Sequence, residues 1–551
     1  MFIKKSLTDI LLAKRSRKDI LFLFLLALLL LWQPFYLRQE LNLFEWGLYL
    51  PGIDAVSQGQ VPFRDFFHLR GPFEIYLPAL FMKVVGFRAD VLATYFYLGT
   101  LLTILVAVLI AYELIDQRLL LYSLVLILAT RTFPRVVFTC WGGMRYAWGL
   151  MAVWCLIRFL KSSRPGWLFA SGCLAAIGLL TSIEIGVIAV ASFLAVISLS
   201  RECRQRAWVF LSGFLIIALP YGIYLFCQNA LGSYFEAQWV VVTHMQKTFL
   251  QLDRIPNTFP VFLHAVFFPL DKSFFQMTPI YTYMFFFSLY VRRLINNKIS
   301  ALDQAALAVA MYGFVSFLTI FRNLWASEYE MSLQPEKIVL FFLLGQIIGW
   351  AHGKFSNFRW AGVLLMAAVI VSTVIYGFGR METRFYKTSW VNEWITGKDK
   401  VKNSLINGSP VTSIDLPRIK YMHIPVWQAQ DLEQLKAFVD THVSAHEALW
   451  TYSEIAPLNF ILQRPWVGRF PDATMSWMDD GWFDEYEKTL ERDPPRYAII
   501  SKQKQFYFNP NFFKVPGNRN KHERLMRFLY NHYVIKGQTP SYFIYQRVDK
   551  I

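Results

Sequence analysis

Through residue 379 the chain alternates long apolar runs with short charged segments. A run of roughly 20 apolar residues is enough to cross a hydrocarbon core of ~30 Å as a helix. Ala207 to Cys227 and Trp360 to Gly379 hold no formal charge at all. The pattern predicts about eleven spans of this kind. They are Ile20 to Tyr36, Val91 to Ile115, Leu119 to Ala129, Tyr146 to Leu160, Gly166 to Leu180, Ile185 to Ser198, Ala207 to Cys227, Met277 to Val291, Leu302 to Phe321, Ile338 to Trp350 and Trp360 to Gly379. The first run lacks a small-residue cleavage site, so it is expected to be a retained helix. Barrel strands alternate in polarity and do not give such runs, which excludes a membrane barrel.

After Gly379 the pattern changes. Short β-type stretches at Ala448 to Tyr452, Tyr497 to Ser501, Tyr533 to Lys536 and Tyr542 to Gln546 alternate with helical spacing at Gln430 to His442 and Lys521 to Asn531. The predicted fold is therefore a polytopic α-helical membrane domain, residues 1–379, followed by a soluble α/β domain, residues 380–551. Residues 38–90 form the first outer loop. Two interfacial helices are expected in it, near Phe44 to Gln58 and Pro72 to Val85, with Gln60 to Gly71 irregular between them.

Charge fixes the expected orientation. Lys4, Lys5, Lys14, Arg15, Arg17 and Lys18 precede the first span, and most of the net charge of +17 lies before residue 380. Short basic loops stay in the cytoplasm. The N-terminus is thus predicted inside and, with an odd number of spans, the C-terminal domain outside. Nucleic-acid binding does not explain a charge placed this way. The five cysteines show neither a zinc spacing nor a disulfide framework.

The candidate chemistry gathers in the predicted outer loops. Transfer of a sugar from a lipid phosphate needs a base for the acceptor hydroxyl and cations for the departing phosphate. Glu45, Asp54 and Asp65 in the first loop are the candidate catalytic carboxylates, with Glu45 first because it opens the loop. Arg64, His68 and Arg70 beside them, and Arg131, Arg135, Arg145 and Arg322 in later outer segments, are candidates for gripping phosphate. Glu184 lies in the tight turn between two apolar spans, and a carboxylate near membrane depth is a functional candidate by default. No metal spacing is present, and no cofactor is called for. A divalent cation held by Glu45 or Asp65 with water is compatible with the loop, though nothing in the spacing specifies one. Gly-x-Ser-x-Gly, P-loop and dinucleotide-binding motifs are absent.

The first loop resembles that of GT-C glycosyltransferases, in the bacterial protein O-mannosyltransferase and aminoarabinose-transferase-like branch. The matching pieces are Glu45-Trp46-Gly47, Tyr49, Gly59, Val61-Pro62-Phe63-Arg64-Asp65-Phe66, Gly71-Pro72 and Tyr76 to Gly86. The hairpin Leu180 to Gly186 is similar to the family's Thr-Lys-x-Glu-x-Gly stretch, with Ser182 where many members have Lys. Trp46 stands where the family usually places a second acid. The resemblance implies an inverting transferase in the bacterial cytoplasmic membrane that uses a polyprenyl-phosphate-linked sugar. Its acceptor would be a lipid, polysaccharide or protein. A lipid-linked glycan flippase would instead show inverted repeats and interrupted helices, which are not evident. A noncatalytic GT-C-like envelope assembly protein is the remaining alternative, kept open by Trp46.

Overall fold

The computed structural model describes residues 13–31, 40–132, 143–245, 274–320, 331–354, 359–378, 410–471, 478–502 and 517–548. In chain order the helices are α1 (Asp19–Leu31), α2 (Leu43–Gly47), α3 (Leu50–Ser57), α4 (Phe73–Val85), α5 (Ala89–Leu114), α6 (Arg118–Thr132), α7 (Gly143–Ser162), α8 (Pro165–Thr181), α9 (Ile183–Leu199), α10 (Arg201–Gln205), α11 (Ala207–Cys227) and α12 (Leu231–Val240). They continue as α13 (Phe274–Ile295), α14 (Ala301–Ile320), α15 (Gln334–Lys354), α16 (Arg359–Phe378), α17 (Val426–His442), α18 (Pro457–Leu462), α19 (Asp480–Arg492) and α20 (Asn518–His532). The strands are β1 (Val411–Ser413), β2 (His423–Pro425), β3 (Leu449–Tyr452), β4 (Tyr497–Ser501), β5 (Tyr533–Gln538) and β6 (Tyr542–Arg547). Over its described residues every predicted span falls on one of these helices; residues 32–36, 321 and 379 of the predicted spans lie outside the described residues. Among the described residues, Ala89–Leu114, Ala207–Cys227 and Ala301–Thr319 are each long and apolar enough to cross a membrane.

The chain divides into two compact units. The first comprises Met1–Pro34, Tyr95–Leu219 and Pro256–Asp399. It is a helical bundle with a continuous, mostly aliphatic core that includes Leu23, Ile110, Leu121, Leu156, Ile188 and Val309. Small residues let its backbones meet. A Cβ at Gly172 on α8 would fall 2.1 Å from the Phe210 carbonyl oxygen of α11, and one at Gly213 would fall 2.2 Å from that of Phe169. A Cβ at Gly186 would lie 2.4 Å from the Leu179 Cα, so only glycine allows α8 and α9 to turn on the single residue Ser182. Ion pairs tie helix ends together: Arg118–Asp19 at 2.7 Å, Arg158–Glu113 at 2.8 Å and Arg15–Asp116 at 3.2 Å.

The second unit comprises Phe35–Thr94, Pro220–Ile255 and Lys400–Ile551. Its centre is a four-stranded sheet in the order β3-β4-β6-β5, with β3 and β4 parallel and the other pairs antiparallel. The four strands predicted from the sequence are these four. Missed were the three-residue ladder of β1 and β2, too short to give a period, and α18 and α19. Helix α19 did carry a signal. Asp479 caps it by accepting from the Trp482 amide, and Trp482, Phe483, Tyr486 and Leu490 repeat at helical spacing.

The first loop, expected to carry two interfacial helices, also contributes side chains to the core of this unit. Phe44, Phe63 and Phe67 share a core with Trp450, Trp482 and Phe483. The Phe67 amide donates to the Arg469 carbonyl at 2.7 Å, and the Gln428 amide group bonds both Leu41 backbone groups at 2.9 Å. Aromatic rings on the loop are thereby buried against the sheet's helices. Burial of each is worth roughly 1.5–3 kcal/mol, more than a lone surface contact supplies.

Candidate functional site

In the second unit, Asn42 caps α2 by accepting from the Glu45 amide at 3.1 Å, and Glu45 is buried in that first turn. Leu48 and Tyr49 break the helix before Pro51 restarts the chain as α3. Glu45 and Asp54 therefore sit on separate short helices. Asp54 meets Arg418 at 3.4 Å and accepts from the Gln58 amide at 3.1 Å. Burial pushes the Asp54 carboxyl up, and Arg418 draws it only part of the way back. Burial likewise lowers Arg418, whose guanidinium lies 4.7 Å from the ring centres of both Phe87 and Phe460. Both partners give the same sign: desolvation outweighs the charge attraction, as is common for half-buried pairs.

Asp65 is more fully engaged. It accepts from Arg64 through both oxygens, at 2.7 and 2.8 Å, and from the Val61 amide at 2.7 Å. The remaining Arg64 terminal nitrogen donates to the Gln228 carbonyl at 3.1 Å and to its side-chain oxygen at 3.2 Å. The Arg64 contact holds Asp65 below the usual carboxylate range. The turn is sharp: Phe63 takes a φ of +73° and buries its ring edge-on against Tyr234. Such a backbone costs about 1–3 kcal/mol and persists where packing determines it. Three of the roughly four acceptor positions of the Asp65 carboxylate are thus taken by these donors. Among the described residues no three His, Cys, Asp or Glu side chains converge on a metal position.

His68 does not fit the phosphate-gripping role expected of it. It is buried, and burial, aided by Arg70, lowers its imidazole to about 3. The ring is neutral across the physiological range, and among the described residues its Nε2 has no hydrogen-bond partner. Arg70 bonds the Tyr49 hydroxyl and lies 3.1 Å from Glu74, which also accepts from Tyr49 at 3.2 Å. Glu74 was missed as a partner, although its i+4 spacing from Arg70 at a predicted helix start was legible.

In the first unit the structure joins two of the predicted residues. Arg145, expected in an outer loop, lies inside the first turn of α7 and is only 3% exposed. Its Nη1 is 3.6 Å from Glu184, and its Nη2 donates to the Tyr146 hydroxyl at 3.1 Å. Ser182 donates to the same Glu184 oxygen at 3.2 Å. Tyr146 and Ile185 pack on Met331, whose sulfur accepts from Gln334 at 3.4 Å. Gln334, Glu336 and Lys337 in the first turn of α15 are all buried, and Thr282 donates to Glu336 at 2.6 Å. This turn escaped the sequence reading because its charges resemble an ordinary helix end. Arg135 and Arg322 lie outside the described residues, as does the Arg131 side chain.

Comparison with known proteins follows from this geometry. Residues 70–224 match the family model for dolichyl-phosphate-mannose-protein mannosyltransferase. The apo crystal structure of ArnT from Cupriavidus metallidurans superposes with a TM-score of 0.51 at 11% identity, covering 96% of this chain and 98% of that one. The same protein bound to undecaprenyl phosphate gives 0.50 at 10% identity, covering 97% and 99%. No curated protein matches in sequence. At this identity the likeness is one of fold, and it runs the length of both chains. The chain is thus a polytopic helical membrane protein with the GT-C glycosyltransferase fold. Within that class its fold is ArnT-like.

Proposed function

We propose that the protein is an inverting membrane glycosyltransferase. It takes a sugar from a polyprenyl-phosphate donor and delivers it to a lipid, polysaccharide or protein acceptor. The reaction lies at the outer face of a bacterial cytoplasmic membrane, with the N-terminus inside and residues 380–551 outside. The observation that carries this reading is the fold likeness, end to end, to a protein solved with undecaprenyl phosphate.

On this reading the candidate residues divide the roles. Glu45 is the base. It takes the acceptor proton as that oxygen attacks the anomeric carbon and the phosphate leaves. Asp54 and Asp65, already paired with Arg418 and Arg64, hold the loop in shape. Arg70, oriented by Tyr49 and Glu74, is the candidate of the second unit for offering guanidinium charge to phosphate oxygens. Arg145, oriented by Tyr146 and Glu184, is the separate candidate of the first unit. The test is transfer of radiolabelled sugar from polyprenyl phosphate by the purified protein. Glu45→Gln should cut turnover by about 10²-fold or more, the usual contribution of a general base. Asp54→Asn and Asp65→Asn should act mainly through stability. Unchanged turnover in Glu45→Gln would remove the assignment of the base.

A further inference from the structure

Helix α12 has two unlike faces. Ala237 and Val240 are buried in the core that holds Phe44, Phe63, Phe67 and Trp482. Glu236 accepts from the Trp482 indole at 2.8 Å, and Tyr234 packs edge-on against Phe63 at 5.0 Å. The other face presents Phe235 and Trp239, 62% and 70% exposed, and the π-helical turn Val241–Met245 that follows directly adds Val242, 58% exposed. Their spacing of four and then three residues sets them in one stripe. Three large side chains aligned in water would make an aggregation-prone patch.

Chain connectivity says what covers the stripe. Helix α11 has the length and apolarity of a membrane span, and only 22% of its apolar window is buried inside the protein. It ends at Cys227, and α12 begins at Leu231. The three residues between them fold back on the last turn of α11: Gln228, Asn229 and Ala230 donate to the Tyr224, Phe226 and Leu225 carbonyls at 2.9, 3.1 and 2.8 Å. Even fully extended, that link reaches only about 14 Å at ~3.5 Å per residue step. The start of α12 is therefore held within headgroup depth of the bilayer that α11 crosses. Phe226, 71% exposed at the end of α11, continues the apolar surface toward it. Aromatic side chains are favoured at that depth.

We infer that α12 is an interfacial anchor. Its Phe235–Trp239 face, extended by Val242 of the turn that follows, inserts among lipid headgroups, while its inner face grips the aromatic core of the second unit. The bilayer then holds that core, and the first loop built into it, through a helix with no sequence signature of a span.

The test places a fluorescent label on Trp239→Cys, in full-length protein whose five native cysteines are replaced by alanine, reconstituted in phosphatidylcholine nanodiscs. A nitroxide near the lipid headgroup should quench the label more strongly than one deep in the acyl chain. Aqueous iodide should quench it less than a label on Thr441→Cys, on exposed α17. Iodide quenching equal to that control, with no lipid quenching, would overturn the anchor. Should the cysteine-free background not fold, p-benzoylphenylalanine at position 235 in the native background gives the same decision. An adduct with labelled lipid on illumination supports the anchor. A protein–protein adduct in its place identifies a second copy or another protein as the occupant. Neither readout depends on sugar transfer, so the anchor and the proposed activity fail independently.

Discussion

The two units solve the same problem with different chemistry. The helical bundle has a mostly aliphatic core and brings its backbones together at Gly172, Gly186 and Gly213. The α/β unit fills its centre with rings, among them Trp450, Tyr452, Phe470, Trp482 and Phe483. The contrast follows from solvent. Lipid tails are as apolar as leucine, so helices in a bilayer gain little from hiding apolar surface and associate by close packing. A domain facing water gains from every apolar area removed, and large rings remove the most. Polar groups follow the same division. The bundle keeps its ion pairs at helix ends, whereas the α/β unit embeds Arg418 between two rings and sets it against Asp54.

Substitutions can separate the two units. The largest effect is expected from Trp450→Ala, which removes a ring packed on Phe528 and Tyr533 and an indole donating to the Tyr486 hydroxyl at 2.9 Å. A loss of roughly 3–5 kcal/mol is typical of such truncations. Amide exchange should rise in β3, β4 and β6 while the helices of the bundle stay protected. Comparable exchange in both units would mean that they do not have separate cores.

Gly172→Leu is the converse. Its Cβ meets a backbone oxygen, not a movable side chain, so α8 and α11 must part. Overpacking of this kind costs about 1–3 kcal/mol. The thermal midpoint of detergent-solubilised protein should fall, with new exchange confined to α7, α8 and α11. A midpoint equal to that of the unaltered protein would show that close approach is not what holds the bundle.

Near neutral pH the smallest effect is expected at His68. Its folded value of about 3 lies below the ordinary 6.5, so the unfolded chain binds the extra proton between those limits. Stability from keeping this ring neutral is fully present above pH 6.5 and is lost as pH falls toward 3, at about 1.4 kcal/mol per pH unit. His68→Phe should flatten that part of the midpoint-against-pH curve. A curve of unaltered slope would assign the acid sensitivity to other groups.

Much of the architecture was written in local patterns. The helices at all eleven predicted spans and the four strands of the main sheet follow from apolar run length and from β-type stretches, properties that neighbouring residues fix together. The resemblance of the first loop and the Leu180 to Gly186 hairpin also lay in contiguous residues. The role of each charge did not. Arg145 looked like a loop cation until α7 enclosed it with Glu184, 39 positions along the chain. Asp54 and Arg418 are separated by 364 positions, and only folding made them partners. The division has a physical origin. Hydrophobic periodicity is set over one or two helical turns, whereas the pairing and burial of a charge depend on which distant backbone closes over it.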